Sequence, residues 1–256
     1  MFRPNLLSER RNSLLELMSL DFFGFNPTLQ AMLNARKAVG RSGKEFAGAG
    51  ALSSDNNLIT LRNLCLRLKP QRTLEIGMCF GGSALVFTAS HRDLGRPAAR
   101  QHTALDPFQT SVWDEAGLVA VEREGLREHL DFRPAFSSLE LPRLVNEKAL
   151  FDLVYIDGSH LFEDVFIDFY YVARLLSDGG MVAFDDCADS HVAKVLRFIT
   201  RNLNGTFKEV ELGPYRMDGG KRLRYRVARL LGKTQLRAFQ KTGAAERNWD
   251  APFVDF

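Results

Sequence analysis

The sequence predicts an α/β fold, a doubly wound and mostly parallel sheet behind an amino-terminal helical extension. Three observations predict it. Before residue 70 the apolar residues recur at helical spacing, and from Arg72 onward short apolar runs alternate with helical stretches. The runs are nearly continuous rather than alternating, as expected of parallel strands buried on both faces. Two further runs follow closely near the carboxyl end, which suggests a partly antiparallel sheet edge.

Residues 1–70 form the extension and 71–256 the main unit of one domain. Leu14, Leu15, Leu17 and Met18 give a first helical spacing, and Pro27 precedes a second candidate from Thr28 to Val39. Ser53, Ser54 and Asp55 offer an N-cap to a helix through Leu58, Leu61, Leu64 and Leu66, which Pro70 terminates. This all-helical preface covers one sheet face or joins copies in a homo-oligomer. The strands expected next are Thr73 to Ile76, Thr103 to Leu105, Leu130 to Phe132, Phe151 to Ile156, Met181 to Phe184, Phe207 to Leu212 and Leu236 to Gln240. Helices are expected over Ser83 to Ser90, Phe162 to Leu176 and Ser190 to Leu203.

A chain of 256 residues with 45% hydrophobic content supports one sizeable core. The net charge of +3 comes from nearly balanced acids and bases, so no global field of the kind that dominates nucleic-acid binding exists. Cys65, Cys79 and Cys187 are odd in number and lack CxxC spacing, which points away from a disulfide framework and toward a reducing cytoplasm. Charges interrupt the amino terminus, excluding a signal peptide, and no segment approaches the roughly 20 apolar residues of a membrane span.

The first strand runs into Glu75-Ile-Gly77-Met78-Cys-Phe-Gly81-Gly-Ser83. In open α/β sheets this first turn is the usual seat of a nucleotide-like cofactor, because glycines let a ligand approach the backbone. Ser83 is placed to cap the next helix. The spacing differs from G-x-G-x-x-G, which argues against a dinucleotide, and Glu75 at the strand end would attract a cationic amino-acid or sulfonium group. Asp106, ending the second strand, either holds two ribose hydroxyls or opens a turn with Pro107. Ser137 and Ser138, after the third, either meet an adenine edge or cap a helix.

The fourth and fifth strands end in Asp157-Gly-Ser-His160 and Asp185-Asp186. Carboxylates brought together disfavour one another's ionised forms unless a cation intervenes, so Asp157, Asp185 and Asp186 are candidate ligands of Mg²⁺ or a similar hard cation. His160 is a candidate general base, since imidazole titrates near neutral pH; the alternative is a loop or capping histidine. Asp157 is the alternative proton acceptor.

On Thr73 to Ser83, Ala104 to Asp106, Asp152 to His160 and Leu175 to Asp186, in that order, the sequence resembles the class I methyltransferases that use S-adenosylmethionine (SAM), specifically the small-molecule O-methyltransferase group with macrolide-sugar and catechol-type members. The resemblance implies seven strands in the order 3-2-1-4-5-7-6 with the last antiparallel. It implies SAM contacts from Glu75, Gly77, Met78, Gly81, Ser83, Asp106, Ser137, Ser138 and Asp157, and a divalent metal on Asp157, Asp185 and Asp186. The implied acceptor is a hydroxyl on a small molecule. Asp-Asp replaces the Asp-Asn usual in catechol-type members, and no catalytic Lys is evident. Rival readings are a non-catalytic SAM-binding protein and an RNA or protein methyltransferase using Lys221 to Arg229. Leu223, Val227, Leu230 and Leu231 favour an amphipathic surface helix over nucleic-acid contact in that segment.

Overall fold

The computed structural model describes residues 23–47, 52–216, 227–228, 233–244 and 247–256; the helix expected around Leu14 and most of the basic segment after Lys221 lie outside them. In chain order the elements are α1 (Pro27–Ala35), β1 (Lys37–Val39), β2 (Glu45–Ala47), α2 (Asp55–Leu68), β3 (Thr73–Ile76), α3 (Gly82–Asp93), β4 (His102–Leu105), α4 (Ala116–Arg123) and β5 (Leu130–Arg133). They continue with α5 (Ser137–Asn146), β6 (Phe151–Ile156), α6 (Phe162–Leu175), β7 (Leu176–Phe184), α7 (Ser190–Asn202), β8 (Phe207–Val210) and β9 (Arg237–Lys241).

The main sheet has seven strands in the order β5-β4-β3-β6-β7-β9-β8, and β9 runs antiparallel to both β7 and β8. This is the order implied by the resemblance, strand for strand. Side chains alternate across it: Leu153 and Tyr155 enter a core with α2, α3 and α4, while Val154 and Ile156 enter a second core with α5, α6 and α7. Burial on both faces explains why these strands read as unbroken apolar runs. The Gly77 N–H donates to Leu105 O, the Asp157 N–H to Ile76 O and the Asp185 N–H to Ile156 O, at 2.9, 2.9 and 3.1 Å. The ladder therefore sets Gly77, Asp157 and Asp185 side by side on the carboxyl edge.

The preface is not all helical. α1 stops at Ala35, where Arg36 takes a left-handed conformation, and β1 and β2 pair as a small antiparallel hairpin. The turn from Gly40 to Gly43 closes it, the Gly40 N–H donating to Lys44 O at 2.8 Å and the Gly43 N–H to Gly40 O at 3.0 Å. The expected helix over Thr28 to Val39 is thus cut short at Arg36, and its last three residues form β1 instead. Arg41 on this hairpin bonds Glu115 and Glu122 at 2.7 and 2.8 Å. Phe46 packs against Phe80 and Trp113, with ring centres 5.2 and 6.3 Å apart. Exposed ion pairs contribute about 0.2–1 kcal/mol each, whereas aromatic pairs add about 0.5–1.5 kcal/mol beyond the area they bury, so the rings dominate this attachment.

α2 is capped as expected: the Ser54 side chain accepts the Asn57 N–H, and Lys69 ends the helix before Pro70. Ser83 does not cap α3. The N-cap is Gly81, in a left-handed conformation, and Ser83 lies inside the first turn. Ser137 and Ser138 likewise begin α5 after a Phe136 N-cap that has no side-chain cap bond.

Candidate active site

Gly77 (φ 88°) and Gly81 (φ 80°) shape the turn after β3. A Cβ on Gly77 would lie 2.2 Å from the carbonyl oxygen of Asp157, so this residue must be glycine for the two strand ends to meet. Asp106 fastens the turn. Its Oδ2 accepts the Met78 and Cys79 N–H groups at 3.2 and 2.7 Å and the Gln109 amide at 3.0 Å, while Oδ1 accepts the Phe108 N–H at 2.7 Å. A carboxylate oxygen has two lone pairs, so Oδ1 has one left beyond the Phe108 N–H. Burial and the nearby Asp106 push the Cys79 thiol up to about 12, which leaves it protonated and unsuited as a nucleophile.

Glu75 is not at the ligand surface. Its position on β3 turns it into the first core, where it is fully buried with Oε1 3.2 Å from His102 Nε2. His102 Nδ1 and His91 Nε2 both lie 2.9 Å from Thr73 Oγ1, and Phe87 stacks on His102 with ring centres 4.8 Å apart. Burial lowers His91 to about 3, so it is neutral. The chain Glu75, His102, Thr73, His91 is a polar rib beneath the turn.

A cleft of about 460 Å³ opens along the carboxyl edge. Gly77, Met78 and Ser83 line one side, with Trp113 beside them; Asp157, His160, Asp185 and Asp186 line the other. Asp157, His160 and Asp186 each offer an atom within 4.8 Å of the others. His160 Nε2 is 2.9 Å from Asp186 Oδ2, and Asp186 takes a left-handed conformation (φ 48°) rare for a non-glycine residue.

Asp185 faces inward from this group. Asn57 Nδ2 donates to its two oxygens at 2.9 and 3.1 Å, the Tyr155 hydroxyl donates at 2.5 Å and the Asp186 N–H at 2.9 Å. Ser53 Oγ sits 2.9 Å from the Tyr155 hydroxyl and 3.0 Å from Asp157 Oδ2. Three oxygen–oxygen contacts thus join Asp157, Ser53, Tyr155 and Asp185, but the two hydroxyls supply only two protons. Ser53 donates to Asp157 Oδ2, and burial, reinforced by neighbouring Asp185, raises Asp157 well above the usual carboxylate range. Asp186 is raised by burial and Asp185 and drawn back by His160.

Residues 74–187 match a family model described as a methyltransferase domain. A protein of Arabidopsis thaliana named as a caffeoyl-CoA O-methyltransferase is 28% identical over 120 residues, 46% of this chain and 47% of that one; the match spans about half of either protein. Among solved structures, an O-methyltransferase from Bacillus cereus in complex with SAH superposes with a TM-score of 0.58 at 17% identity, covering 85% of this chain and 91% of that one. The O-methyltransferase TomG from Streptomyces achromogenes, in complex with SAM, gives 0.53 at 16% identity over 75% and 82%.

Across these residues the turn and the acids meet along one cleft, with Asp106 bonded to the turn from behind, whereas Ser137 and Ser138 lie off the cleft. The Ser137 hydroxyl faces Asp168 on α6, which burial raises to about 7. Sequence reasoning missed Ser53, Asn57, Tyr155 and Trp113 as cleft or supporting residues. Ser53 was legible only as part of a cap, and Tyr155 only as one more apolar strand residue. Asn57 read only as a polar residue early in a leucine-rich helix, and the structure buries it to 4% exposure. Among the described residues no helix is long and apolar enough to cross a membrane.

Proposed function

We propose that the protein transfers a methyl group from SAM to a hydroxyl of a small molecule, assisted by a divalent cation. The observation that carries this reading is one cleft joining a glycine turn, backed by Asp106, to Asp157, Asp186 and His160. Gly77, Met78 and Gly81 would admit the methionine end of SAM against the backbone, beside Ser83, and the free lone pair of Asp106 would accept a ribose hydroxyl. The adenine end would reach the start of α5, where Ser137 and Ser138 lie near the exposed Phe108 and Phe136 rings, whose centres are 5.6 Å apart. Glu75 would act only from beneath, by fixing the turn.

The donor set suits a hard divalent ion: the Asp157 and Asp186 carboxylates lie within one coordination sphere's reach, and burial beside Asp185 raises Asp157 well above the usual carboxylate range, which a cation would reverse. Asp157 and Asp186 would hold it, and Asp185 would orient them from behind. A bound Mg²⁺ or similar ion supplies Lewis acidity that lowers the acceptor hydroxyl's pKa. His160 directs Nε2–H to Asp186, leaving Nδ1 to receive the hydroxyl proton. The acceptor oxygen then bonds the methyl carbon as the carbon–sulfur bond breaks, and SAH leaves. Much of the acceleration comes from aligning that oxygen opposite the sulfur.

Incubating the protein with methyl-labelled SAM and a panel of phenolic, sugar and polyketide alcohols, with Mg²⁺ or with a chelator, tests the reading. Label transfer to oxygen that stops on chelation is expected. Transfer unaffected by the chelator removes the cation, and SAH binding without transfer to any acceptor removes the catalysis.

A further inference from the structure

Residues 254–256 run back along α7 toward the cleft. Asn202 Nδ2 donates to Val254 O and the Val254 N–H to Asn202 Oδ1, both at 2.8 Å, so a single amide pairs with this backbone as a neighbouring strand would. The Arg201 guanidinium adds a bond to Asp255 O at 2.6 Å. Phe256 then reaches Phe198, with ring centres 5.2 Å apart, and lies 5.4 Å from Lys194 Nζ, one helical turn nearer the start of α7. That start follows β7 at the carboxyl edge of the sheet.

Phe256 closes a circuit of rings. Phe162 lies 5.6 Å from Phe166, Phe166 5.1 Å from Phe198, Phe198 5.2 Å from Phe256, and Phe256 6.5 Å from Phe162. Phe162 opens α6 two positions after His160, and its N–H donates to His191 Nδ1 in the first turn of α7 at 3.1 Å. The His191 N–H donates to Asp189 Oδ1, and the Asp189 N–H to Asp186 O, each at 2.8 Å. The loop that carries His160 and the loop that carries Asp186 are therefore tied together behind the contact between those two side chains.

We propose that Phe256 is a positioning residue, and that residues 254–256 form a clasp setting the loop of His160 against the loop of Asp186. Contact with Phe198 and the last turn of α7 would be enough to cover that helix. The further contact with Phe162 carries the segment across to the loop of His160. The catalytic consequence rests on the reading above, in which His160 receives the proton of the acceptor hydroxyl. A base displaced by an ångström can cost about 100-fold in rate, so a clasp two residues from the imidazole acts on the proton transfer and not on the cofactor turn.

Hydrogen–deuterium exchange of the full chain, read by mass spectrometry, tests the clasp without any acceptor. Phe256→Ala should speed exchange at least about threefold in peptides spanning 157–163 and 185–191, with the turn at 76–82 unchanged. Asn202→Ala frees the backbone of the clasp and keeps every ring, so it should do the same, whereas Phe256→Tyr should restore parental exchange. Faster exchange confined to 194–202 and 247–256 makes the segment a cover for α7 and overturns the proposal, as does parental exchange throughout. If Phe256→Ala fails to fold, Asn202→Ala decides. With whichever alcohol of the panel takes label, kcat should fall at least about tenfold while KM for SAM stays within about twofold. Parental kcat in a variant with loosened loops overturns the positioning role. A parent that transfers no methyl group removes the catalytic reading, and the exchange pattern then decides the clasp alone.

Discussion

The Cβ that Gly77 lacks would sit 2.2 Å from the carbonyl oxygen of Asp157, so the cofactor turn and the first acid of the cleft share one point of contact. Gly77→Ala must open that contact and adopt a positive φ as well. The expected cost is at least about 2 kcal/mol of stability, with SAH affinity reduced at least tenfold. Calorimetric titration with SAH and a melting curve check both parts; parental SAH affinity would show that the turn can shift without consequence.

Asp106 ties the turn to the second strand through two backbone N–H groups. Asp106→Ala leaves these donors buried without partners, a loss of about 1–3 kcal/mol each. SAM and SAH should both weaken by tenfold or more. The acids remain in place, so kcat at saturating SAM should fall less than kcat/KM for SAM, and steady-state kinetics separates the two.

His160 meets Asp186 at the mouth of the cleft and is half-exposed. Substituting His160→Ala removes the proposed base without touching the core, so the melting temperature should hold within a degree or two. kcat should drop about 100-fold or more, with SAH affinity preserved. Equal kcat in the variant would assign proton removal to Asp157 or to solvent.

Asp168 is buried on α6 with one oxygen unpartnered, and burial raises it from 3.8 to about 7. The folded chain therefore holds a proton that the unfolded chain releases. That group's contribution is fully present below about pH 4 and is lost as pH rises through 7. Asp168→Asn removes the dependence: at pH 8 it should stabilise the protein by about 1–3 kcal/mol, the gain shrinking toward pH 4. Melting curves across that range decide it; a gain independent of pH would contradict the burial account.

Much of the architecture is legible before any coordinates. Thr73–Ile76 and Phe151–Ile156 fall on their expected residues, because strands buried on both faces leave unbroken apolar runs with sharp ends. The β1–β2 hairpin is missed because three-residue strands carry too little pattern to separate from a helical period. Glu75 shows a second limit. The sequence locates a carboxylate near a strand end, but which face it turns to depends on register, and here alternation sends it into the core beside His102. The third limit is tertiary: Asn57 reaches Asp185 across 128 positions, and no local spacing announces that contact.

The segment before β3 touches the cleft from two directions, Phe46 bracing the Trp113 wall and Asn57 and Ser53 bracing the acids. It cannot be treated as an interchangeable module. Grafting a different preface onto the same sheet would disturb the Trp113 wall and the acids in one step.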